Sequence, residues 1–289
     1  MRGPTLAEGV WRGRLTREAA HPTLWSMGRH EHEEREGTYP QAPTREEWEA
    51  MGPEERARVV ESLPGEVTWD EMAMPEGDLH FQAKVRTLDV LEGYFRHQKR
   101  RVYLGAELPT YYPGERRFAP DLLVVLDVET HERNKWVVSQ EGKGLDWVLE
   151  VHVGGDRKKD AEYNVERYAR LGIPEYFIFD RARQRLHAYR LPSPDARTYV
   201  PLEAQRGRYR SEVLGLELEV VEGRLRLWAG NALLLESGEL LARMNETLEK
   251  LRQRAEVAEG ALAEEARRRE EAERSLAQLR AELEQLRGR

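Results

Sequence analysis

The chain has no cysteine. Disulfides and thiolate metal sites are therefore excluded, and an intracellular, cytoplasmic setting is expected. It also lacks any apolar run long enough to span a bilayer, about 18 residues or more, and its first residues carry no signal-peptide core. A soluble protein with no membrane partner is expected. Positive charge is in short supply too: 46 lysines and arginines face 53 acids, a formal net charge of -7. That balance argues against a general nucleic-acid coat protein, because phosphate binding draws on a surplus of cations. It leaves room for an enzyme whose basic residues cluster locally. FRHQKRRVY (95–103) is one such cluster, and it reads equally well as a solvated helix end.

Charged residues make up 34% of the 289 and apolar ones 39%, so globular sequence must alternate with solvated segments. Two short apolar runs stand out. FAPDLLVVLDV (118–128) begins with Pro120-Asp121, and GLDWVLEVHV (144–153) contains Glu150 near its end. Both are branched, hydrophobic stretches bounded by polar or glycine-rich sequence, the pattern of buried strands. An unpaired carboxylate in such a setting costs several kcal/mol, of order 2–7 for a polar group alone. Asp121 and Glu150 therefore need a partner. A divalent metal would serve both at once; a strand-end cap or an arginine would serve each separately.

Residues 1–40 read as an irregular extension in which His30 and His32 sit within HEHEERE. Residues 41–235 carry the folded pattern. Thr44 with Glu47 forms a capping box, Pro53 opens a second helix, and Val85, Leu88, Leu91 and Phe95 recur at helical spacing over about 78–98. The period then shortens: RVYLGAELPTYY, FAPDLLVVLDV, KWVVSQ, GLDWVLEVHV and EYFIFDRARQRLHAYRL read as strands, with a crossover helix at 161–172 capped by Gly172. A last strand pair turns at Glu222-Gly223. The expectation is an α/β fold, mostly antiparallel with one crossover. Residues 236–289 differ in kind. Leu241, Met244, Leu248, Leu251, Ala255, Ala258 and Leu262, then Ala272, Leu276, Leu279, Leu283 and Leu286, keep a spacing of three and four, which predicts a coiled coil of about seven heptads. Glu265 and Arg269 occupy core positions of its seam, and Gly260 weakens the helix nearby. A homo-oligomer through 241–286 is expected.

Three stretches together carry a resemblance: FAPDLLVVLD, LDWVLEVHVGGDRKKDAEYNVERYARLGIPEYFIFD and YRSEVLGLELEVVEGRLRLW. The chain over 65–235, most specifically YARLGIPEYFIFD and SEVLGLEL, resembles the Uma-two-like restriction endonucleases of the PD-(D/E)XK nuclease superfamily. The resemblance implies a restriction-endonuclease-like core, a central mixed β-sheet flanked by helices. It implies Asp121 and Glu150 as ligands of Mg²⁺ (or Mn²⁺), with the Val151 carbonyl beside them, and DNA as the partner. Asp160, Tyr168 and His80 match accessory positions of the same pattern. The lysine is where this chain departs. Its usual strand position holds His152, and the alternative helix position holds Asn164. His152 shares the Glu150 side of the strand by alternation, and Lys158 and Lys159 of the GGDRKK loop lie near in sequence. Two functions follow: a metal-dependent DNA endonuclease whose coiled coil sets the oligomer, or a catalytically inactive scaffold of the same fold acting through that helix.

Overall fold

The computed structural model describes residues 39–66, 77–154 and 158–287, with the backbone alone for 158–161. Helix α1 (Arg45–Ala50) opens on the expected capping box: Thr44 Oγ1 accepts the Glu47 N–H at 3.2 Å, and Glu47 Oε2 accepts the Thr44 N–H at 2.7 Å. Pro53 begins α2 (Pro53–Ser62), where its missing N–H costs nothing. Helix α3 (Gly77–Gln98) follows, and Lys99, at φ 54, ends it in the left-handed region.

Strands β1 (Val102–Gly105), β3 (Leu122–Leu126), β5 (Trp147–His152), β6 (Glu175–Asp180), β7 (Arg185–Arg190) and β8 (Val200–Pro201) form one sheet in the order β1-β3-β5-β6-β7-β8. The numbering leaves β2 (Thr110–Tyr111) and β4 (Trp136–Val137), which pair with each other. All neighbours in the six-stranded sheet are antiparallel except β5 and β6. A parallel pair requires a crossover, and α5 (Lys158–Arg170) provides it. This helix starts a little earlier than the apolar pattern implies. It ends as expected: Gly172, at φ 75, sends its N–H to Ala169 O while Ile173 N–H reaches Tyr168 O, a Schellman closure.

KWVVSQ departs from expectation. Only Trp136–Val137 is strand, and the next residues wind one turn, α4 (Val138–Glu141), closed by Gly142 at φ 68. The Trp136 indole N–H donates to the Lys143 carbonyl at 2.9 Å, which folds the chain back over itself.

All five residues of β3 are buried, so both faces of the sheet are covered. Leu122, Val124, Leu126, Trp147, Leu149 and Val151 share a core with α3 residues Val90, Leu91 and Phe95. Leu123, Val125, Val148 and Ile178 pack on the other side with Tyr168 and Ala169 of α5. The α3 core also takes Leu216, Leu218, Leu225 and Leu227 from a second sheet. That sheet runs β12 (Ala232–Leu233), β11 (Arg224–Ala229), β10 (Leu216–Val221), β9 (Tyr209–Ser211). The β10–β11 turn falls at Glu222 and Gly223 with φ 50 and 71, the positive pair that a two-residue hairpin loop demands.

Helix α6 (Ser237–Arg287) is 51 residues long, about 77 Å at 1.5 Å per residue. Asp89 of α3 caps its start, accepting the Ser237 N–H at 2.6 Å and its hydroxyl at 2.5 Å, and Arg226 pairs with Glu239 at 2.9 Å. Beyond that seat none of its described residues is buried. The two charged residues in its apolar seam, Glu265 and Arg269, pair with each other at 2.9 Å. No helix among the described residues is long and apolar enough to cross a membrane.

Candidate active site

Antiparallel pairing of β3 and β5 sets Leu122 opposite Leu149. Asp121, one residue before β3, therefore arrives beside the end of β5. Its Oδ2 accepts the Val151 N–H at 2.7 Å, and its own N–H points to Glu150 Oε2 at 3.4 Å. The two acids singled out from sequence are thus neighbours at the mouth of the sheet, at the carboxyl end of the parallel pair.

Helix α3 brings the next components. Its inward face carries His80, Ala83, Lys84, Thr87, Val90, Leu91 and Phe95, the three-and-four spacing of one helical stripe. The apolar members enter the core, while His80 and Lys84, one turn apart, meet the acids. His80 Nε2 lies 2.9 Å from Asp121 Oδ1, and the buried Lys84 Nζ lies 3.9 Å from the same oxygen. Lys84 also bonds to Glu107. Glu107 follows β1 in a left-handed conformation, φ 50, and its N–H is held by the Pro120 carbonyl at 2.9 Å. A non-glycine residue there is strained by about 1 kcal/mol or more. The backbone N–H thus meets the residue adjoining Asp121, while the Glu107 carboxylate meets Lys84.

On the far side, α5 supplies Tyr168, whose hydroxyl donates to Glu150 Oε1 at 2.7 Å. Tyr168 is fixed by an edge contact with Tyr176, centroids 4.9 Å apart, and by Phe118 at 5.3 Å. His152 lies one pleat beyond Glu150 on β5, in register with Asp180 of β6; burial pushes the Asp180 carboxyl upward, but Arg183, with a smaller contribution from the His152 imidazole, holds it below its ordinary value. Asn164 is half-buried on α5, one turn before Tyr168. The side chains of Lys158, Lys159 and Asp160 lie outside the described residues, as do Arg157, His30 and His32. The basic stretch 95–103 begins in the last turn of α3, about 22–27 Å along the helix from His80, and its Arg100 makes a paired contact with Asp127.

The two acids have opposite electrostatics. Burial pushes the Asp121 carboxyl upward, but His80, the Val151 N–H and Lys84 outweigh it and hold the group below its ordinary value. Glu150 goes the other way. Protein packed around its carboxyl, then the adjacent Asp121 carboxylate, raise it well above the usual glutamate value, and the Tyr168 hydroxyl offsets only part. A low and a high carboxyl side by side form a pair set to share a proton or to receive a cation.

His80, Glu107 and Asp121 each offer one ligand atom, all within 4.8 Å of one another. Mg²⁺ takes oxygen-rich ligands at about 2.1 Å, which puts opposite ligands about 4.2 Å apart. Two carboxylates and an imidazole are a donor set that suits a small divalent ion; Glu150, next to Asp121, lies outside this group of three. Sequence reasoning placed His80, Asp121 and Glu150 here but missed Glu107 and Lys84. The His80–Lys84 spacing was a visible signal for Lys84; a loop glutamate such as Glu107 had none.

Comparison with known proteins bears on the same residues. A family model described as "Uma2: Putative restriction endonuclease" matches residues 45–224, more than half of the chain, and that span holds every residue of the cluster. No curated protein matches. Among solved structures, a "putative nuclease belonging to DUF820" from Anabaena variabilis is 17% identical, with a TM-score of 0.38, over 49% of this chain and 76% of that one.

Proposed function

This chain belongs to the Uma2 family, and from that premise we propose that it is a Mg²⁺- or Mn²⁺-dependent endonuclease hydrolysing phosphodiester bonds in DNA. The observation that carries the reading is the convergence of His80, Glu107 and Asp121 on one point, with Glu150 directly beside Asp121. Asp121, Glu107 and the His80 imidazole would hold the ion, and Glu150, beside Asp121, would join them. The bound ion supplies a Lewis acid that offsets charge growing on the phosphate oxygens and makes a water more acidic.

The rest falls to the protein. Tyr168 holds Glu150 Oε1 through its 2.7 Å bond, which leaves Oε2 toward Asp121. The Val151 N–H fixes Asp121 Oδ2, leaving Oδ1 for the cluster. Arg181, at the end of β6, donates to the Leu79 carbonyl at 3.2 Å, next to His80. Partial burial and the neighbouring cations Arg86 and Arg224, each paired with Glu236, depress its pKa, and Arg181 adds one cation to the His80 end of α3, where a phosphate backbone would lie. Helix α6 exposes its whole apolar seam, with Leu248 at 61% and Leu279 at 58%. Pairing with the same helix of a second copy would cover it and set two sites against two strands.

A second reading has one observation in its favour: neither position 152 nor position 164 carries a lysine. On that reading the fold is a scaffold and α6 is its working part. Incubating plasmid and single-stranded DNA with Mg²⁺ or Mn²⁺ separates the two. Cleavage by the wild type that disappears in Asp121→Ala and Glu150→Ala supports the nuclease; identical trace cleavage by all three leaves the scaffold.

A further inference from the structure

The chain lacks a lysine at both positions where its sequence pattern would place one, yet a lysine stands in the site. We propose that Lys84, delivered from helix α3 rather than from β5 or α5, is the catalytic lysine of this protein, its ammonium contacting the scissile phosphate beside the ion. The inference rests on the nuclease reading above and adds the residue that reading leaves missing.

Three observations carry it. The Lys84 side chain is only 8% exposed, with its Nζ bonded to Glu107 and 3.9 Å from Asp121 Oδ1. Among the described lysine side chains it alone meets the cluster. Lys135 bonds to the Val60 and Leu63 carbonyls, Lys143 to Asp146 and the Leu126 carbonyl, Lys250 pairs along α6, and Lys99 ends α3 at its far side. Finally, its position is costly. Burying an ammonium is unfavourable unless it is paired, and an apolar side chain of similar size would usually fill such a place at no loss of stability. Here the lysine sits on the stripe that also carries His80, and Glu107 accepts a left-handed backbone to reach it.

During hydrolysis the water oxygen forms the new P–O bond, and the bond from phosphorus to the leaving sugar oxygen breaks. The water's proton passes to solvent, and the leaving oxygen takes one from solvent. Lys84 keeps its own proton throughout. It donates a hydrogen bond to a non-bridging phosphate oxygen, where negative charge increases toward the transition state. A rival role is that of a counter-cation, occupying the ion's place until the ion displaces it. The two roles predict different metal affinities once the lysine is removed: nearly unchanged for the first, tighter for the second.

The experiment compares wild type, Lys84→Met and Asp121→Asn by melting, by Mn²⁺ calorimetry without DNA, by binding of a labelled duplex in Ca²⁺, and by cleavage. The absence of cysteine adds a rescue: the Lys84→Cys variant, treated with 2-bromoethylamine while unfolded and then refolded, regains an ammonium at this position alone. The proposal expects Lys84→Met to bind Mn²⁺ within about threefold of wild type, to bind duplex about 10-fold more weakly and to cut about 100-fold more slowly, as for loss of one charge-stabilising donor. Alkylation should restore at least about tenfold of that rate to Lys84→Cys. Wild-type cleavage by Lys84→Met overturns it, as does tighter Mn²⁺ binding without loss of rate, or an alkylated protein no faster than its parent. Each of these, with Asp121→Asn inactive, leaves the nuclease reading standing. Asp121→Asn cutting like wild type removes that reading, and the Lys84 proposal with it.

Discussion

Glu150→Gln offers a test that needs no substrate. In the ion-free protein, burial and the Asp121 carboxylate raise the Glu150 carboxyl well above its ordinary value. Below the ordinary glutamate value both folded and unfolded chains hold the proton, and the raised value costs nothing. As pH rises past that point the unfolded chain ionises while the folded one keeps its proton. Stability then falls by about 1.4 kcal/mol per pH unit until the folded value is reached. Glutamine has no proton to lose and can still accept from the Tyr168 hydroxyl. Its melting temperature in EDTA should therefore pull ahead of wild type as pH is raised from 5 toward 8, by about 3–6 °C per unit inside the window. Asp121→Asn should slope the other way. Its folded value is lowered, so its contribution is present above the ordinary aspartate value and is lost as pH falls through the folded one. Excess Mn²⁺ should reverse the Glu150→Gln gain: at about 100 times Kd an ion adds about 2.7 kcal/mol to the protein that binds it. Scanning calorimetry at four pH values suffices. A Glu150→Gln difference independent of pH would refute the electrostatic account of the acid pair.

Other predictions follow from single contacts. Tyr168→Phe removes a bond that lowers the Glu150 value, so the pH at which Mn²⁺ binding is half complete should rise, at a stability cost of about 1 kcal/mol; calorimetric titration across pH reads both. Glu175 is fully buried and accepts from Arg190 at 2.8 Å, Ser211 at 2.5 Å and the Glu212 N–H at 2.8 Å. Glu175→Ala should cost about 2–3 kcal/mol in a urea melt, because it leaves the buried Ser211 hydroxyl and the Glu212 N–H without their acceptor while Arg190 keeps Glu212. Light scattering on the full chain should give a multiple of the 33.6 kDa monomer, and a chain ending near Leu235 should give the monomer; equal monomer masses would remove the α6 pairing.

The parts of this structure that rest on local chemistry were legible in the sequence. The Thr44–Glu47 box, the Gly172 closure and the Glu222-Gly223 hairpin each depend on neighbours a few residues apart, and each forms as its residue types require. The buried strands β3, β5 and β6 announced themselves by unbroken apolar runs. KWVVSQ misled because its apolar residues suit a strand, while a tertiary bond from Trp136 and a left-handed Gly142 turn the chain after two residues. The candidate site was half legible. Asp121 and Glu150 stood out because carboxylates are anomalous beside such runs. Lys84 had only its four-residue spacing from His80 to mark it, since a lysine on an amphipathic helix normally faces water, and the packing of α3 onto the sheet aims this one inward. Glu107 was invisible, because it reaches the site through a backbone conformation that its residue type does not favour.

The most direct measurement of the central claim is a crystal grown with Mn²⁺ and recorded at the manganese edge. The account predicts one anomalous peak per chain, about 2.1–2.2 Å from an Asp121 oxygen, shared with Glu107, His80 or Glu150, and absent in Asp121→Asn. Bound manganese elsewhere, with Asp121 still held only by His80 and the Val151 N–H, would contradict it.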